Sequence, residues 1–259
     1  MKKLLILLAF LPFLTSCENI GPEDRYIEEG DVLVGRNVLL EEFTGQLCTN
    51  CPDAHRVLAS LEEQYGESLI VVSIHAGKGQ FGIASPQGLM LEEGDAYAQR
   101  WGVYSYPAGL IDRQGSLMGY KDFSEAVRAE IGKTTMLEMS LEAQFTEDGK
   151  NIEVFTTLVT PTSMTGSLQL WVVENNITAM QIDNGAIIMD YVHNNVFRGC
   201  VNGLWGEEVP LEGNVVEYRS NVMPVDEIWD PENLEIVGFY YNGSGVVQVE
   251  KTEITTKTI

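Results

Sequence analysis

The sequence predicts an α/β domain over residues 37–134 followed by an all-β antiparallel sandwich over residues 135–259, behind an N-terminal export segment. Three observations carry that reading. Up to Lys133, apolar runs of strand length alternate with amphipathic stretches of helix length. Beyond Thr134 the hydrophobic period becomes two, turns become frequent and no long helical pattern recurs. The first seventeen residues are basic, then apolar, then small. At 44% hydrophobic and 21% charged, the 259-residue chain has enough apolar material to pack its cores, which excludes wholesale disorder.

The export segment begins Met1-Lys2-Lys3, continues through an apolar run at residues 4–14 that is too short to span a bilayer, and ends Thr15-Ser16-Cys17. The ending Leu14-Thr15-Ser16-Cys17 resembles a bacterial lipobox, which implies a signal peptide at residues 1–16 and a lipid on the Cys17 thiol. An ordinary signal peptide that happens to hold a cysteine is the alternative. Residues 17–36 are polar, carry Gly21-Pro22 and several acids, and read as a flexible tether. Cleavage removes Lys2 and Lys3 and no acid, so the mature chain is more acidic than the formal −22. Such a charge excludes a nucleic-acid partner, because a phosphate backbone needs a basic face. It also excludes adhesion to anionic lipid headgroups, leaving the Cys17 lipid to hold the protein at the membrane.

In the α/β part, Val38-Leu39-Leu40 leads a buried strand, and residues 51–65 are helical with Val57, Leu58 and Leu61 on one face. Residues 69–74, Leu-Ile-Val-Val-Ser-Ile, form a near-continuous apolar run, as expected of a strand covered on both sides. A Gly-rich stretch at residues 76–94 precedes a short helix at 95–101. Strands at 108–111 and 116–120 flank a turn at Asp112-Arg113-Gln114-Gly115. A helix at 122–131 has Asp122 or Ser124 near its cap and Phe123, Val127 and Ile131 as its apolar stripe.

In the second part, residues 137–145 alternate, Glu147-Asp148-Gly149-Lys150 turns, and residues 152–159 alternate again. Residues 168–173, 234–241 and 246–252 continue the pattern, the last two joined through Asn242-Gly243-Ser244-Gly245. Short strands of this kind predict an immunoglobulin-like sandwich.

The chemistry concentrates at Cys48-Thr49-Asn50-Cys51-Pro52, between the first strand and the first helix. A Cys-x-x-Cys pair there is meaningful because free N–H groups and the helix dipole stabilise a thiolate. The second thiol lies about one turn on, where it can resolve a mixed disulfide. A fixed structural disulfide and half of a zinc site are the alternatives, and zinc would want further ligands at close spacing.

This strand–loop–helix segment resembles the thioredoxin superfamily. The resemblance implies Cys48 as the attacking and Cys51 as the resolving cysteine, and Glu42, six residues before Cys48, as a buried carboxyl that relays a proton to Cys51. Val103-Tyr104-Ser105-Tyr106-Pro107 resembles the loop that holds the superfamily's cis-proline opposite the dithiol. It implies that Pro107 shapes a substrate groove and that Tyr106 offers its backbone to an extended segment of an exported protein. A solvent-facing Glu42 and an ordinary trans Pro107 are the competing readings. The chain departs from the superfamily in Leu47, where a Trp is usual, and in Thr49-Asn50, where Gly-Pro is usual. The interval from Cys51 to Pro107 is also longer, by an insertion at residues 77–94. Asp53 opposes a thiolate at Cys48, so a mildly reducing or isomerase-like dithiol is expected rather than a strong oxidant.

His55 lies one helical turn after Cys51, and His75 ends the second strand. With the Cys pair they form a set with some affinity for copper(I). Copper chaperones of related fold, however, space their cysteines by three residues rather than two. No metal and no cofactor is expected. Cys200, left without a partner, reads as a buried free thiol.

The layout as a whole, together with Asp190-Tyr191-Val192-His193-Asn194-Asn195-Val196-Phe197-Arg198 and Gly203-Leu204-Trp205-Gly206, resembles the twenty-eight-kilodalton outer-membrane-protein family of bacterial lipoproteins. That implies a cell-envelope, lipid-anchored protein at the outer membrane. The expected function is thiol–disulfide exchange with the thiols or disulfides of exported proteins. The alternative is a cell-surface binding or adhesion lipoprotein in which Cys48–Cys51 is a static bridge.

Overall fold

The computed structural model describes residues 33–256; the signal peptide, Cys17 and the tether up to residue 32 lie outside the described residues. In chain order the elements are β1 (Val34–Gly35), β2 (Val38–Thr44), α1 (Cys51–Tyr65), β3 (Leu69–His75), α2 (Glu92–Trp101), β4 (Ala108–Ile111), β5 (Gln114–Met118) and α3 (Phe123–Glu130). There follow β6 (Thr134–Thr135), β7 (Glu138–Phe145), β8 (Asn151–Val159), β9 (Ser167–Glu174), β10 (Ile177–Asp183), β11 (Ala186–His193) and β12 (Val196–Cys200). The chain ends with β13 (Glu207–Glu208), β14 (Glu217–Pro224), β15 (Leu234–Asn242) and β16 (Gly245–Thr256). The protein is thus mostly β-strand, with few helices.

A mixed sheet of twelve strands runs β14-β8-β7-β16-β15-β9-β12-β3-β2-β4-β5, with β13 on β9. β2 and β3 are parallel in the register Val38↔Leu69 to Thr44↔His75, and β4 is antiparallel to β2 from Phe43↔Ala108 to Leu40↔Ile111. Every residue of β2 and β3 is buried, because each face of the sheet is covered. Val38, Leu40 and Val71 pack on one side against Ala54, Leu58 and Leu61 of α1 and Phe123 and Val127 of α3. Leu39, Phe43, Val72 and Ile74 pack on the other against Tyr97 of α2, Trp171, Phe197 and Phe239.

The strands of the second half continue the sheet of the first. β12 lies parallel to β3 at Val196↔Ser73, where the Ser73 amide donates to Asn195 O at 2.7 Å. β16 is long enough to pair with β15 through Gly245 and with β7 through Ile254–Thr256. A third core lies between these strands, built on Leu137, Ile152, Val154, Leu170, Ile236 and Tyr240.

Two local features depart from the sequence-based expectation. The turn between β4 and β5 is two residues, Asp112 and Arg113, both with positive φ, and Gln114-Gly115 belong to β5. Side-chain anchoring explains this use of left-handed backbone by non-glycine residues. The Asp112 carboxylate accepts from the Leu39 amide at 2.8 Å and from Arg36 Nη1 at 2.6 Å, while Arg113 pairs with buried Glu41. The second feature is Arg36, at the end of the expected tether, which is buried and bridges Asp112 and Glu130, so the chain is already part of the fold there.

Candidate functional site

Cys48 and Cys51 are joined in a disulfide. Cys51 is the first residue of α1 and Pro52 follows it in the first turn, where its missing N–H costs nothing. Both cysteines are sealed from solvent, at 2% and 0% exposure. Asp53 lies in the same turn, and the Arg56 guanidinium bonds to it and to Asp183 at 3.2 Å, offsetting its negative field.

Glu42, on β2, is fully buried. Its Oε2 accepts from Ser73 Oγ at 2.8 Å, while Oε1 lies 3.4 Å from His55 Nε2 and has no hydrogen-bond partner. Burial pushes its pKa up to about 8, with the hydroxyls of Ser73 and Thr44 pulling the other way. His55 occupies the second turn of α1, its Nε2 at 3.0 Å from Thr44 Oγ1 and its Nδ1 at 2.8 Å from the Tyr191 hydroxyl. Burial, then Arg56, lowers its pKa to about 4.

The Tyr106–Pro107 peptide is cis. The register Phe43↔Ala108 directs Pro107 to the end of β2 from which the cysteine loop departs. The Tyr106 ring packs on Phe81 with centroids 4.7 Å apart, and the Phe81 carbonyl in turn accepts from the Leu47 amide at 2.8 Å. The insertion therefore runs between the proline loop and the cysteine loop. Gly45 is required where they meet, since a Cβ there would lie 2.4 Å from Phe81 O.

The chain's three histidines converge here. His75 and His193 have ring centroids 5.3 Å apart, and His55 and His193 6.3 Å apart. With Glu62, Ser73 and Asn195 they line a cavity of about 70 Å³. No ring nitrogen of His75 or His193 makes a hydrogen bond of ordinary geometry. Burial holds His75 well below its usual pKa, with His193 and His55 adding to it. Burial, then His55, lowers His193 to about 4, against the opposing pull of the Ala179 and Met180 backbone. Among the described residues no set of three or more His, Cys, Asp or Glu side chains is disposed to hold a metal ion.

The element that sequence reasoning missed is the β10–β11 hairpin, a separate two-stranded sheet lying on the cysteine loop. The Ile182 amide donates to Gln46 O at 2.8 Å and the Asn184 amide to Thr49 O at 3.1 Å. Gln181 Nε2 donates to Gly45 O at 3.2 Å and Cys48 O at 3.1 Å. The signal was Asn184-Gly185, both with positive φ, the strongest short-range sign of a two-residue hairpin. Cys200 is a free, partly buried thiol 3.2 Å from the Tyr97 hydroxyl.

A family model described as outer membrane protein Omp28 matches residues 94–258, more than half of the chain. The protein belongs to the Omp28 family. Membership places this Omp28 protein in the cell envelope at the outer membrane. The matched span includes Pro107, the hairpin and His193 but begins after the Cys pair, Glu42 and His55, so the family match bears on the cover rather than on the disulfide. Among solved structures, HBP35 of Porphyromonas gingivalis aligns with a TM-score of 0.69 at 15% identity, over 85% of this chain and 76% of that one. Protein AGR_C_4864 from Agrobacterium tumefaciens aligns at 0.52 and 15% identity over 88% and 98%. A domain of the outer membrane lipoprotein Omp28 from P. gingivalis aligns at 0.36 and 22% identity over 48% and 92%. The first two likenesses are of fold. A search of curated proteins finds no significant match.

Proposed function

We propose that this Omp28 protein is anchored to the outer membrane by a lipid on Cys17 and exchanges disulfides with exported proteins through Cys48 and Cys51. The observation that carries the reading is the bonded Cys48–Cys51 pair at the start of α1, one helical turn from His55 and its buried partner Glu42. The order β3-β2-β4-β5, with α1 and α3 on one face and α2 on the other, supports a thioredoxin-like first half, and the cis Tyr106–Pro107 bond supports the expected loop. The antiparallel pairing of β7, β8 and β14 around the third core supports a sandwich in the second half.

In this reading a dithiol donor first passes two electrons to the Cys48–Cys51 bond, leaving two thiols. The Cys48 thiolate attacks one sulfur of a substrate disulfide, forming a mixed disulfide and expelling a substrate thiolate. The Cys51 thiolate then attacks Cys48 Sγ, which restores the Cys48–Cys51 bond and releases the second substrate thiolate. Glu42 acts as a proton carrier for Cys51. A carboxyl at about 8 lies close to an ordinary thiol at roughly 8.5, so the proton passes with little energy change. Trapping tests the reading: Cys51→Ser is expected to accumulate mixed disulfides on Cys48 in the cell envelope. Failure to capture any, where a control thioredoxin of the same type is captured, overturns it.

A second reading is favoured by one observation, the burial of both cysteines beneath the hairpin. There the pair is a static bridge in a surface-binding lipoprotein, and the same Cys51→Ser variant stays free of partners.

A further inference from the structure

We propose that the β10–β11 hairpin is a lid over the disulfide, displaced as a unit to admit a substrate and closed in the resting protein; the inference concerns the regulation of the site proposed above and rests on that reading. The hairpin covers the loop through polar and main-chain contacts. Besides the bonds of Ile182, Asn184 and Gln181, the Gly185 amide donates to Thr49 Oγ1 at 2.9 Å, Gln46 Nε2 donates to Met180 O at 2.9 Å, and Arg56 pairs with Asp183. Gln181 lies on the same face of β10 as Ile177 and Ala179, and its side chain is fully buried over Cys48; the irregularity in the ladder is on β11, where Met189 and Asp190 oppose Met180.

Three features make this cover separable. Its strands pair only with each other, so its own ladder survives displacement. None of its residues belongs to the three apolar cores, and elements with few apolar contacts open at low cost. Its outer strand presents Ile187, Met189 and Val192 to solvent, and Gln181 Oε1 is left buried without a partner in the closed state. Asn176 and Asn195, both with positive φ, bracket the hairpin where it leaves the body. Its departure frees the carbonyls of Gln46 and Thr49, while those of Gly45 and Cys48 keep their bonds within the loop, so the Ile182 and Asn184 amides mark where a substrate strand would bind.

The test measures alkylation of Cys48 by iodoacetamide in the full chain reduced with a phosphine, read by peptide mass spectrometry with Cys200 as internal control. Two variants open the lid: Gln181→Ala with Asp183→Ala, and replacement of residues 178–192 by Gly-Ser-Gly. Cys48 is expected to react slowly in the wild type and at least about tenfold faster in both variants, with Cys200 unchanged. The lid is overturned if the Cys48 rate is unchanged, if Cys48 and Cys200 accelerate together, or if wild-type Cys48 already reacts like an unstructured thiol. Adding Cys51→Ser to the opened variants separates the two proposals. Faster alkylation without any trapped partner keeps the lid and removes the exchange reading; trapping that rises on opening supports both.

Discussion

His55 Nε2 and Glu42 Oε1 stand 3.4 Å apart in an arrangement that inverts their ordinary basicities: the carboxyl titrates at about 8 and the imidazole at about 4. Burial is the main cause for both, because it disfavours whichever form is charged. At neutral pH the pair is therefore a carboxylic acid facing a neutral imidazole rather than an ion pair. The proton rests on Glu42, with Thr44, Ser73 and Tyr191 completing the network around it.

Glu42→Gln separates the carboxyl's contribution from the rest. A carboxyl whose pKa rises on folding contributes stability that is complete below about 4.5 and is lost as pH climbs to about 8. The glutamine variant should gain on the wild type by about 1.4 kcal/mol per pH unit across that window. Paired urea titrations at several pH values measure the gap, and parallel curves would show that Glu42 is not desolvated as described.

His193→Gln should show the opposite slope. The folded pKa of His193 lies below its unfolded value, so the unfolded chain takes up a proton first, and stability falls as pH drops from about 6.5 to about 4. Removing the imidazole should spare the variant about 1.4 kcal/mol per pH unit in that window. Acid unfolding followed by circular dichroism is the measurement, and a wild-type midpoint no higher in pH than the variant's would count against the claim.

These histidines show where sequence reasoning reaches its limit. α1 was legible to its ends, because an amphipathic stripe, Pro52 at the start and Gly66 at the stop all agree, and β3 was legible as an uninterrupted apolar run. The Glu42–His55 pair is half legible: the sequence singles out each residue, but their contact depends on α1 folding back over β2. The convergence of His193 with His75 was not legible, since 118 positions separate them in the chain and only the β12–β3 pairing brings them together. The hairpin is hard to read in the sequence for a different reason. Ile187 and Met189 face solvent, so its apolar residues do not trace a buried face, and only Asn184-Gly185 marks it.

Arg113 and Glu41 form a buried ion pair inside a ring of aromatic side chains. Nη2 lies 3.0 Å from Glu41 Oε1, and the guanidinium sits 4.6 Å from the Phe239 ring and 4.8 Å from that of Tyr241. Glu41→Gln leaves an uncompensated buried cation and should cost about 3–5 kcal/mol, whereas Glu41→Leu combined with Arg113→Met should cost much less. A double-mutant cycle by chemical denaturation checks this; additive losses would mean the pair is not coupled.

The proposed lipidation of Cys17 has a direct readout. The mature chain should incorporate labelled fatty acid and sediment with the outer membrane, and Cys17→Ser should abolish the label and release the protein to the soluble fraction. Retention of the serine variant in the membrane fraction would assign attachment to another part of the molecule.

The hairpin tip offers a graded way to weaken the cover without touching the residues that contact Cys48. Gly185 adopts φ +84° with open space around its α-carbon, so a side chain there meets backbone strain rather than a clash. Gly185→Val should raise the cost of the turn by about 1–2 kcal/mol while leaving the three cores intact. Because the Gly185 amide holds Thr49 Oγ1 and the neighbouring Asn184 amide holds Thr49 O, a strained tip loosens the loop from its cover. The Cys48–Cys51 bond should then be reduced faster by a phosphine at unchanged thermal midpoint of the main transition. Equal reduction rates in the two proteins would place the protection of the disulfide in the insertion at Phe81 instead of the hairpin.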